Sequence, residues 1–138
     1  MWLAFVSLLA GGAAAAGQGQ GDPRLDYILQ CQGCHLADAA GAEAFGVPRM
    51  QGFVGRFLQV EGGRAYLVQV PGVAQAPLDD AAIAELLNWM LTRFSPAELP
   101  DPFEPYTPEE VTRHRSRTPI DVPSVRAELL ARLERLDR

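Results

Sequence analysis

Residues 31 to 35 read CQGCH, and they contain both cysteines of the 138-residue chain. The residues before them build a short helix. Asp22 caps free N–H groups, Pro23 fits the first helical position, and Leu25, Ile28 and Leu29 follow at helical spacing with Tyr27 beside them. The helix runs directly into Cys31. Three chemistries use two cysteines this close together. A structural zinc site needs four ligands, and only His35 and His114 accompany the cysteines. His35 adjoins Cys34 without a spacer, which makes tetrahedral closure awkward. A thioredoxin-like pair wants a β-α-β setting, and the chain shows no such strand pattern. A structural disulfide would close a loop of two residues and stabilise little, since the gain grows with loop length.

The third chemistry is covalent attachment of one haem c, for which C-x-x-C-H is the sequence pattern. Residues three apart at a helix end share a face, so Cys31 and Cys34 can both reach the vinyl groups of one porphyrin. His35, the next residue, then turns its imidazole to the iron from the same side.

On these residues the chain resembles the mono-haem, class I type cytochrome c family, over roughly residues 22–94. The shared features are Tyr27 ahead of Cys31-Gln32-Gly33-Cys34-His35, a glycine- and proline-containing loop matched by GVPRMQG, and a closing helix containing LLNWML. The resemblance implies an all-α fold whose core is the haem. It also implies that the Pro48 carbonyl accepts a hydrogen bond from His35, and that Leu86 and Trp89 pack across the first helix.

The family usually supplies a sixth iron ligand as a methionine in the loop before the closing helix. Here that loop is VQVPGVAQAPLDD, and the chain's only methionines are Met1, Met50 and Met90. Met50, between glycines, is the leading sixth ligand. After it come an open or weakly ligated iron, Met90 and His114, with Gln69, Gln75 and His114 as distal polar groups if the iron is open. Arg64 and Tyr66 can hold haem propionates; the alternative is a solvated arginine beside a half-buried tyrosine. Phe45, Phe53, Phe57 and Leu58 are expected to line the haem pocket.

Beyond the motif, PLDDAAIAELLNWMLTRF is the clearest helix, capped by Asp79 or Asp80, and VGRFLQV or RAYLVQV can form a short helix in an otherwise glycine-rich stretch. Residues 95–138 form a proline-rich linker and a helical extension. Thr107 to Glu110 has capping-box form, and Val122, Val125, Leu129, Leu133 and Leu136 make one stripe that must pack on the domain or on a partner. Residues 1–16 carry no charged side chain and end in Ala14-Ala15-Ala16, the pattern of a secretory signal peptide. A net charge of −5 argues against nucleic acid, and all 12 basic residues are arginine.

The expectation is a periplasmic c-type cytochrome with an all-α fold and a C-terminal helical extension. It carries single electrons from a dehydrogenase or quinol-oxidising complex to an acceptor cytochrome or oxidase, and it meets a membrane only if the N-terminal segment is uncleaved. The rivals are a haem-based binder of small ligands or minor peroxidase, and a haem-bearing subunit of a larger oxidoreductase.

Overall fold

The computed structural model describes residues 21–138; the expected signal segment, with Met1, lies outside the described residues. The fold is all-α. Its helices in chain order are α1 (Pro23–Gln30), α2 (Gln32–His35), α3 (Gly63–Gln69), α4 (Pro71–Ala74), α5 (Asp80–Phe94), α6 (Pro108–Arg115) and α7 (Val122–Leu136). Short 3-10 turns cover Glu43–Phe45, Val54–Gln59 and Pro96–Glu98. Among the described residues no helix is long and apolar enough to cross a membrane.

Side-chain caps set four of the helix starts. Asp22 accepts from Arg24 N at 2.9 Å and Asp79 from Ala82 N at 2.8 Å. Thr107 accepts from Glu110 N at 3.3 Å and Asp121 from Ser124 N at 3.1 Å. Each cap satisfies an N–H that has no partner inside its helix.

α1 crosses α5 through aromatic contacts. The Tyr27 ring lies 5.5 Å from Trp89 and 5.0 Å from Phe94, and Leu86 is fully buried. Leu25, Ile28 and Leu29 do not share this burial: they are 50%, 42% and 65% exposed. Leu25 and Leu29 stand two residues from Tyr27, about 200° round the helix, so facing Tyr27 to α5 turns them away. The loop from 36 to 59 is fastened to the end of α5. Gly52 N donates to Phe94 O at 2.7 Å, and Gly55 N donates to the buried Ser95 Oγ at 2.9 Å.

The extension packs on its own chain. α6 lies against α3 and α5, while α7 lies against α3 and the 54–59 turn. Asn88 pairs with both backbone groups of Tyr106, and the Tyr106 hydroxyl donates to Arg64 O at 3.0 Å. Val111, Leu129 and Leu133 are buried, whereas Leu136, at the end of the expected stripe, is 60% exposed. The capping box is half formed. Thr107 caps, but the Glu110 carboxylate turns away to Arg64, with both guanidinium bonds at 2.7–2.8 Å.

Candidate functional site

Cys31 ends α1, and α2 follows it as a single turn containing Cys34 and His35. His35 N donates to Cys31 O at 2.9 Å and Cys34 N to the same carbonyl at 3.2 Å, so one carbonyl gathers the three motif residues. The two thiols are not bridged. Burial, with a smaller push from Asp26, drives the Cys31 thiol up to about 11. Among the described residues no three His, Cys, Asp or Glu side chains gather as a metal-ion site, which leaves the zinc alternative without ligands.

The His35 imidazole is oriented from behind. Its Nδ1 lies 3.2 Å from the Pro48 carbonyl oxygen, a partner that fixes the proton on Nδ1 and leaves Nε2 free to bind a metal. Burial lowers the His35 pKa, with the Pro48 carbonyl acting the other way, and the neutral imidazole is the form that ligates. Two further groups build this turn. Tyr27 Oη donates to Leu36 O at 2.6 Å, which holds a residue with φ of 67°. Gly41 N donates to His35 O at 3.1 Å. A Cβ at Gly41 would stand 2.6 Å from the Pro48 oxygen, and φ there is +70°, so only glycine brings these parts of the loop together.

Of these residues Cys31, His35 and Pro48 border a cavity of about 630 Å³, inside the range of about 300–1,000 Å³ usual for cofactor sites. Its lining includes Cys31, His35, Val47, Pro48 and Met50 from the motif and the loop after it, and Tyr66, Leu67, Val70, Pro71, Gly72 and Val73 from α3, α4 and the residue between them. Leu87 and Met90 of α5 contribute, and so do Val122, Pro123 and Arg126 of α7. The wall is mostly apolar, with a free imidazole nitrogen and an adjacent thiol. That donor set fits a haem, which needs apolar walls, an axial histidine and a nearby sulfur.

The remaining expected residues are distributed as follows. Cys34 is exposed at the end of its turn. Tyr66 lines the cavity, but Arg64 does not. Arg64 has partners of its own: Glu110 takes its guanidinium, Glu104 O accepts at 2.8 Å, and the Tyr106 ring lies 4.3 Å beneath it. Arg126 lines the cavity instead. Glu43 and Arg49 line it too, and all three also border an adjoining hollow of about 230 Å³. Neither Arg126 nor Arg49 forms an ion pair among the described residues. Of the expected aromatic lining, only Phe57 borders the main cavity; Phe53 borders the smaller hollow and Phe45 is 88% exposed. His114 is outside the cavity, on α6 near Glu110.

Gly41 and Arg126 escape a reading of the sequence. The glycine's only local signal is its presence in a loop, and Arg126 sits inside an amphipathic helix.

No family model matches the chain. Two curated relatives do, both named cytochrome c-552 and both from Thermus thermophilus. One is 34% identical and is aligned over 88% of this chain and 93% of its own length. The other is 32% identical over 72% of this chain and 91% of its own. At this identity over most of both sequences, the chain belongs to the cytochrome c family.

Proposed function

We propose that this chain is a periplasmic cytochrome carrying one covalent haem and passing single electrons between a dehydrogenase or quinol-oxidising complex and a downstream acceptor. When bound, the haem supplies a one-electron iron couple. Cys31 and Cys34 tether it through thioethers, and His35 Nε2 is the proximal ligand. The Pro48 carbonyl holds Nδ1–H, which orients the ring and raises its basicity. Tyr66 and Arg126 replace the expected Arg64–Tyr66 pair as partners of the propionates. The apolar wall keeps water from the iron. No side chain of the cavity is arranged for nucleophilic work.

The observation that carries this reading is the His35 Nδ1–Pro48 hydrogen bond, made at the edge of a cavity that also borders Cys31. A spectroelectrochemical titration of the haem-loaded protein tests it. The expected result is one reversible couple that changes tenfold in ratio for about 59 mV, as a one-electron step requires. A two-electron slope, or no couple at all, contradicts it.

A further inference from the structure

Two helices that supply part of the cavity wall are joined by one short strap. α4 contributes Pro71, Gly72 and Val73, and α5 contributes Leu87 and Met90. Residues 75–79, Gln-Ala-Pro-Leu-Asp, connect them. α4 has only four residues and packs on α3; a single turn is too short to hold its place by helix hydrogen bonds alone. Ala74 N donates to Val70 O at 2.9 Å, Gln75 N to Pro71 O at 3.0 Å and Ala76 N to Val73 O at 3.2 Å. These bonds close the turn on itself and tie it to no other element.

Arg115 of α6 makes that tie. Its Nε donates to Ala74 O at 2.9 Å, Nη1 to Leu78 O at 2.7 Å and to the Asp80 carboxylate at 2.9 Å, and Nη2 to Ala76 O. Alternate residues of the strap thus turn their carbonyls to one guanidinium, whose N–H groups stand in a fixed fork. Ala74 is the last residue of α4 and Asp80 the first of α5, so the bonds span the strap from end to end. The Arg115 side chain is 21% exposed, and carbonyls deprived of it would lose a partner that water only partly replaces. Arg113, two residues earlier on α6, is exposed and pairs with no carboxylate among the described residues.

We propose that Arg115 is the positioning residue of this cavity: it sets the separation between the α4 and α5 parts of the wall, and so how closely a bound haem is enclosed. Arg115 does not line the cavity and acts on it through the strap. The proposal rests on the haem reading above. An enclosure loosened at α4 admits water towards the iron, and the wetter site favours the ferric state. Lysine keeps the charge of Arg115 but offers a single nitrogen, which cannot serve four acceptors spread over residues 74–80.

The test compares the unchanged full chain with Arg115→Lys and Arg113→Gln, each exported in a host that attaches haem c. Haem retention in denaturant is measured first, then the reduction potential and the amide exchange of the folded, haem-loaded proteins. In Arg115→Lys the expected result is retained haem, a lower potential, and exchange at residues 73–76 about tenfold faster, while α3 and α5 keep their protection. Arg113→Gln is expected to leave exchange at 73–76 as it was. An Arg115→Lys protein with unaltered potential overturns the proposal, whether its exchange is faster or its melting temperature lower, because Arg115 then serves stability alone. Should Arg115→Lys fail to fold, the unchanged chain decides by exchange at rising denaturant: residues 73–76 are expected to open together with α6, and their protection after α6 has opened overturns the proposal. An unchanged chain that holds no haem in denaturant overturns the haem reading itself, and this proposal with it.

Discussion

Gly41 stands where the backbone must pass within contact of the Pro48 carbonyl, the acceptor of the His35 Nδ1–H. Gly41→Ala puts a methyl into that contact and forces a positive φ on a residue that disfavours it. The carbonyl moves away and the hydrogen bond weakens. The histidine then donates less electron density to the iron, which favours the ferrous state. The expected outcome in the haem-loaded variant is a higher reduction potential together with a lower melting temperature. A redox titration and a thermal melt check the two readouts. Tyr27→Phe makes a cleaner change. It keeps the ring packing on Trp89 and Phe94 but removes the donor to Leu36 O. The expected loss is about 1 kcal/mol of unfolding free energy, the usual worth of one such bond, read from denaturant titration.

At the scale of elements, α6 is held by two pairs, Arg64 with Glu110 and Arg115 with Asp80. The hydrogen bonds from Arg64 lower the Glu110 pKa, and bonds from Thr112 and Arg115 lower that of Asp80. Both carboxyls are thus more acidic when α6 is docked than when it is free. Their contribution is complete above the ordinary carboxyl pKa of about 4 and is lost as pH falls through the depressed folded values. Amide exchange in α6 is expected to accelerate below about pH 4 while α5 stays protected; equal acceleration in both helices contradicts this. The pairs also mark what local sequence conceals. The caps at Asp22, Asp79, Thr107 and Asp121 act within three residues, so they are legible from local order alone. Arg64 and Glu110 are 46 residues apart, and Arg115 reaches carbonyls 37 to 41 residues away. Nothing local distinguishes such arginines from solvated ones. For the same reason Leu25 and Leu29 read as core: periodicity gives a stripe, but only the position of α5 decides which side of α1 is covered.

Across the whole molecule, the extension is part of the cavity wall and not an appendage. Val122, Pro123 and Arg126 border the cavity, and Leu129 and Leu133 anchor the helix that presents them. Leu133→Ala removes a side chain that is 2% exposed and should cost about 2–5 kcal/mol, measured by thermal or denaturant unfolding of the haem-loaded protein. Arg126→Ala should leave the fold intact and shift the reduction potential downward, read by redox titration. Without the guanidinium, the nearby propionate charge is no longer offset, and uncompensated negative charge favours the ferric iron. These outcomes depend on CQGCH acting as a haem anchor. Intact-mass measurement in denaturant, after export in a host that attaches haem c, tests that most directly. The full chain is expected to carry the mass of one haem, and the Cys31→Ala, Cys34→Ala double variant to carry none. A full chain found at its bare mass, or lighter by the two hydrogens of a Cys31–Cys34 disulfide, would contradict it.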